Sequence, residues 1–119
     1  MEKVIREYSV PYPPTVNTYW RRVGSRTYVS NEGKRYRKIV RAVLREQAPV
    51  LLTGKLKIDI VANVPDRRRR DLDNILKALL DSLAGHVYED DSQIVDLRIA
   101  RGEVIKGGSI VFWVEPIQE

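Results

Sequence analysis

Two short stretches concentrate the side chains that could do chemistry. Arg67-Arg68-Arg69-Arg70 runs straight into Asp71 and Asp73, and Glu89-Asp90-Asp91 follows fewer than twenty residues later. Guanidinium groups collect anions, and carboxylates collect a cation. A phosphodiester together with a divalent metal satisfies both. Magnesium and manganese take oxygen ligands, magnesium commonly with one or two carboxylates, several waters and the substrate's own phosphate oxygens. Asp71 and Asp73, from one helix start, and Asp91 with Asp90, from the loop beyond it, are the candidate ligands. Such an ion relieves the repulsion among crowded carboxylates, orients a water for in-line attack and stabilises the departing 3′ oxygen. Lys77, one turn after Asp73, is a candidate for stabilising charge on the phosphorane or leaving group. Arg67, Arg68, Arg69 and Arg70 would grip flanking phosphates, and Asn74 would hydrogen-bond a phosphate or a ligand water. A purely structural reading stands beside this one: Asp71 as a helix cap, Asp73 and Lys77 as an i, i+4 pair, and the arginines as a solvated face.

These residues need positioning elements. Leu72, Ile75, Leu76, Leu79, Leu80 and Leu83 form one apolar helical stripe, which predicts a helix over 72–84 that begins near Asp71 and stops at Gly85. Before it, Leu56, Ile58, Ile60, Ala62 and Val64 alternate with outward Lys55, Lys57, Asp59 and Asn63 in a strand over 55–64. Ser30 reads as the cap of a helix over 32–47 closed by Pro49, with Tyr36, Val40, Val43, Leu44 and Gln47 inward and Lys34, Lys38, Arg41 and Arg45 along another face. A strand over 4–10, a hairpin turning at Gly24-Ser25, and strands over 94–101 and 109–115 complete the order β-ββ-α-β-α-β-β. The fold class is α+β, a mixed sheet carrying two main helices, in one domain over 1–119.

Composition narrows the chemistry. The chain has no cysteine and one histidine, His86, so thiolate sites, histidine-rich zinc and two-imidazole schemes are excluded. The net charge of +5 points to a polyanionic partner. Between Arg21 and Arg45 lie nine basic residues and one acid, Glu32, whereas 66–96 holds eight of the sixteen acids. That distribution describes a basic docking surface around an acidic pocket. No apolar run approaches the ~20 residues of a membrane span, and no signal peptide precedes Tyr8. The expected location is cytoplasmic, without a membrane partner.

Arg67 to Lys77, together with Asp90-Asp91-Ser92-Gln93, resembles the RusA-type Holliday junction resolvases, endodeoxyribonucleases common in bacteriophages and prophages. Pro13-Pro14-Thr15-Val16-Asn17-Thr18-Tyr19-Trp20-Arg21 and Arg26-Thr27-Tyr28-Val29-Ser30 are similar to that family too, with Thr15 where serine is usual and a loop over 85–89 one residue short. The resemblance implies a RusA-like fold. It implies a homodimer that binds four-way DNA junctions by shape and makes paired nicks in a Mg2+-dependent reaction, with Mn2+ as a substitute and no other cofactor. Asp71, Asp73 and Asp91 match the family's essential acids, Lys77 its essential lysine, and Asp90 a neighbouring acid. Asn17, Arg21, Lys34, Lys38 and Arg41 join Arg67 to Arg70 and Asn74 as the expected DNA-facing residues. Two-fold symmetry suits a substrate that must be cut twice. The rival readings are a metal-dependent nuclease for flaps or other branched DNA, and a non-catalytic nucleic-acid binder.

Overall fold

Strands whose apolar side chains recur at every second residue bury one face and leave the other wetter, and three of the four strands of the main sheet follow that pattern. The computed structural model describes residues 4–117. In chain order the elements are β1 (Arg6–Val10), α1 (Val16–Tyr19), β2 (Trp20–Val23), β3 (Arg26–Val29), α2 (Asn31–Arg45), β4 (Leu56–Asn63), a 3-10 turn (Leu72–Ile75) leading into α3 (Leu76–Leu83), a second 3-10 turn (Asp91–Gln93), β5 (Ile94–Arg101) and β6 (Ser109–Pro116). The main sheet has the order β1-β6-β4-β5. β4 and β5 are parallel, while β6 is antiparallel to both β1 and β4. β2 and β3 pair as a separate hairpin.

The α+β class and mixed sheet agree with expectation, and α1 and the two 3-10 turns are additions to it. Leu56, Ile58, Ile60, Ala62, Ile110, Phe112 and Val114 project from the sheet into the core, where Tyr36, Val40 and Leu44 of α2 and Leu79 and Leu83 of α3 meet them. Several boundaries differ from the sequence reading. The first strand begins at Arg6, because its register with β6 starts at Arg6↔Val114, and Val4 and Ile5 stay exposed. Asn63 points inward: its amide donates to Ser109 Oγ at 3.1 Å and its Oδ1 accepts from the Glu103 N–H at 2.9 Å. Those two bonds satisfy a polar group that burial alone would penalise.

α2 ends at Arg45, two residues before the predicted limit. Ala48 takes a left-handed φ of 51° just before Pro49, where a proline disfavours helical backbone in its predecessor. The stretch expected to be one helix over 72–84 opens as a 3-10 turn, with the Asn74 N–H donating to the Asp71 carbonyl at 3.2 Å. Asp71, Asp73 and Asn74 favour caps and turns over helix interiors, so the α-helical pitch starts only at Leu76.

The N-terminus of α2 is locked to the hairpin. Ser30 Oγ accepts from the Gly33 N–H at 3.0 Å and donates to the Thr18 carbonyl at 2.5 Å. A Cβ on Gly33 would lie 2.7 Å from Val29 Cγ1 and 2.9 Å from the Tyr19 carbonyl oxygen. Gly33→Ala should therefore destabilise the protein by about 1–3 kcal/mol, against the ~1 kcal/mol that alanine gains in a helix interior. Urea unfolding of both proteins reads the sign; an equal or higher midpoint for Gly33→Ala would show that the hairpin can retreat.

Candidate nuclease site

Parallel strands cannot be joined by a tight turn, so the connection from β4 to β5 must travel back along the sheet. That crossover, residues 64–93, carries the arginine run, both acidic clusters and Lys77. Its helical part, four residues of 3-10 turn and eight of α-helix, spans on the order of 20 Å. Asp71 stands before this helical part, and Asp91 follows the loop beyond it.

The first end is shaped by Asp66. Its carboxylate accepts from the Arg68 N–H at 2.9 Å and from Arg70 Nη2 at 2.8 Å, with Arg68 Nε 3.5 Å away. The Arg68 N–H, then Arg70, hold the Asp66 carboxyl below its ordinary range. Arg70 is consequently folded against the protein. Its carbonyl accepts from Arg101 Nη2 at 2.6 Å, and its Nε is buried without a hydrogen-bond partner. Arg67, Arg68 and Arg69 remain exposed. Asp71 makes no side-chain cap bond, which removes the structural reading given to it. It lines a cavity of about 300 Å³ with Tyr12, Thr15, Arg69, Arg70 and Asn74. A carboxylate, an amide and guanidinium groups thus face one space large enough for a phosphate.

At the other end, Asp90 and Asp91 sit on a 3-10 turn. Asp90 caps it, accepting from the Ser92 N–H at 3.3 Å and from Ser92 Oγ at 3.0 Å, while Gln93 Oε1 accepts from the Glu89 and Asp90 N–H groups. The Ser92 backbone bond, then its hydroxyl, keep the Asp90 carboxyl below its usual range. Asp91 moves the other way: burial first, then the hydrogen bond its carboxyl donates to Asp90, raise it, while Lys77 opposes and the charges of Asp90 and Asp81 add to the rise. Lys77, Asp81 and Asp91 therefore act on one another electrostatically. Lys77 pairs with Asp81 at 3.2 Å rather than with Asp73, so the expected Asp73–Lys77 pair gives way to the next turn of the helix.

Among the described residues, no three His, Cys, Asp or Glu side chains converge closely enough to hold a metal ion. The single chain does not gather Asp71, Asp73 and Asp91 into a preformed cage, because the crossover sets the two acidic stretches apart. The donors are nevertheless all carboxylate oxygens. An open site of one or two of them, completed by water and phosphate, is how magnesium is commonly held.

The flanking surface is basic. Lys34, Lys38 and Arg41 line a groove with Arg37 and His86, and Asn17 and Arg21 line a depression beside Trp20 and Arg35. His86, given no role from sequence, is pushed below its ordinary range by burial and by Arg41 and Arg45. Tyr19 is fully buried and meets Trp20 edge-on at 5.2 Å, so of the pair only Trp20 reaches the surface. Asp81, Arg37 and Trp20 around Lys77 escaped the sequence reading, although the i, i+4 spacing applied forward from Lys77 points to Asp81. No helix among the described residues is long and apolar enough to cross a membrane.

Residues 11–111 match the family Endodeoxyribonuclease RusA. The chain is 50% identical over 107 residues to the crossover junction endodeoxyribonuclease RusA of Enterobacteria phage HK97, covering 87% of this chain and 88% of that one. It is 41% identical over 104 residues to the protein of that name from Escherichia coli strain K12, with 86% and 87% covered. The corresponding protein of Enterobacteria phage 82 is 40% identical over the same length and the same shares. With the family match running through the whole crossover and both flanking strands, the chain belongs to the RusA family of endodeoxyribonucleases.

Proposed function

We propose that this protein resolves four-way DNA junctions by paired nicks, working as a homodimer with Mg2+, or Mn2+ in its place, held in an open site by one or two of the carboxylates of Asp71, Asp73 and Asp91 and completed by water and the phosphate. The observation that supports it best is that one crossover carries exposed acids, exposed arginines and Lys77, flanked by a basic surface. The relatives named crossover junction endodeoxyribonucleases point to the same substrate. Asp90 is the weakest of the candidate ligands, since both its oxygens already accept from Ser92.

In this reading Arg67, Arg68 and Arg69 hold phosphates beside the cut, and Asn74 hydrogen-bonds a phosphate oxygen in the cavity next to Asp71. Arg70 is a scaffold for that cavity, being tied to Asp66. Asn17, Arg21, Lys34, Lys38 and Arg41 carry the DNA arms away from the cut. Lys77 stabilises negative charge that develops as the P–O bond to the 3′ oxygen breaks. The ion supplies Lewis-acid polarisation of the phosphate and a water more easily deprotonated. A second copy accounts for two symmetric cuts. The edge strand β5 leaves Val95 54% and Leu97 42% exposed, an apolar rim that a partner could cover. The cytoplasm is the compartment that fits a DNA substrate.

Three outcomes test this. Asp73→Asn should abolish cutting of a synthetic four-way junction in Mg2+ while leaving its affinity equal or higher, because a negative charge near phosphates is gone; parallel loss of binding and cutting would put Asp73 in the fold instead. Lys77→Ala should slow single-turnover cutting by about 10²–10³ with little change in affinity, since the charge it meets exists only in the transition state. A rate restored by high Mg2+ would remove that role. Arg69→Ala should flatten the dependence of log K on log salt by roughly 0.9, whereas Arg70→Ala should lower the melting midpoint with a smaller change in slope. Equal slopes for both variants would contradict the assignment of Arg70 to the scaffold.

A further inference from the structure

Lysine is a poor positional device by itself, a point charge on a flexible four-carbon stem. A lysine that serves a transition state must be held where charge develops. Around Lys77 the structure supplies such a hold. Its Nζ lies 3.2 Å from Asp81 Oδ1 and 5.9 Å from the centre of the Trp20 ring, so the ammonium is bracketed by a carboxylate and an aromatic face. Asp81 is itself held. Its other oxygen, Oδ2, lies 3.7 Å from Nη2 of Arg37, which reaches across from α2. Arg37 is fixed in turn by donating from Nε to the Tyr19 hydroxyl at 2.7 Å, and its guanidinium sits 5.7 Å from the centre of that ring.

Two features separate this arrangement from an i, i+4 pair on a solvated face. The Asp81 side chain is only 17% exposed, against 48% for Lys77, so the carboxylate is a seated partner and the lysine the accessible one. One carboxylate also faces two cations, and the lysine therefore keeps part of its charge for a third party.

We infer that Asp81 is the positioning residue for Lys77: clamped by Arg37, it holds the ammonium between its own carboxylate and the Trp20 ring, at the exposed side of the helix where a phosphate can reach it. This rests on the catalytic reading of Lys77 given above. Removing the Asp81 charge should, on electrostatics alone, strengthen attraction of phosphate to Lys77 and leave cutting equal or faster. Positioning requires the reverse.

The test is single-turnover cleavage of a pre-bound four-way junction in Mg2+ by the full chain, with junction affinity and melting midpoint measured on each protein. Asp81→Asn should cut about tenfold more slowly, the scale of a misplaced group, with affinity unchanged. Asp81→Glu, keeping the charge on a stem one methylene longer, should recover part of the rate. In the Lys77→Ala background Asp81→Asn should cause no further loss, because there is then no lysine to place. A wild-type rate for Asp81→Asn, or an equal tenfold loss without Lys77, overturns the inference while leaving Lys77 catalytic. Full activity of Lys77→Ala overturns both. Should Asp81→Asn fail to fold, Arg37→Gln takes its place, with a severalfold loss expected in the wild-type background and none in Lys77→Ala.

Discussion

The parallel pairing of β4 and β5 governs the rest of the structure. Two antiparallel neighbours could have been joined by a few residues, but parallel strands require a return path along the sheet. That path must be helical to satisfy its own backbone and apolar on one side to cover the strands. The stripe from Leu72 to Leu83 meets both demands, which leaves its opposite side and its two ends free for polar groups. Chemistry is therefore confined to the margins of a covering helix: arginines and Asp71 before it, Lys77 and Asp81 on its outer side, Asp90 and Asp91 beyond it.

Charge follows a similar division. Some acids serve the protein's own cations and some stay available. Asp66 ties down Arg70, and Asp81 sits between Arg37 and Lys77. Asp71 makes no cap bond and faces a cavity instead. In a chain of net charge +5 built to approach DNA, carboxylates left without an internal partner would repel the substrate unless a cation intervenes. Arg70 shows that a run of like residues need not share a task, since its neighbours stay exposed while it turns inward.

Much of this was legible in the sequence because periodicity reports burial directly. The alternation of Leu56 to Val64 and the leucine stripe gave β4 and α3 their faces, and Ser30 announced the start of α2. Asn63 was misplaced because alternation cannot reveal that Ser109 and Glu103 wait to satisfy its amide. The 3-10 opening at Leu72 was hidden because apolar spacing is blind to pitch over a single turn. At the site, residue types and spacing marked the acids and Lys77, but not the partner of Lys77. Asp73 and Asp81 are both four residues from it, and only the packing of Arg37 against α3 decides between them.

The strand order has a consequence for how the protein comes into being. β6, the last strand among the described residues, lies between β1 and β4, pairing Arg6 with Val114 across more than a hundred positions of sequence. During synthesis β1 emerges first and finds no neighbour, and β4 can join only β5. The sheet can close only once β6 is available, since non-local pairings must wait for both partners. The crossover that bears the acids and arginines then rests on a complete floor for the first time. A chain lacking β6 is thus an unfinished scaffold, with β1 and β4 each missing a neighbour.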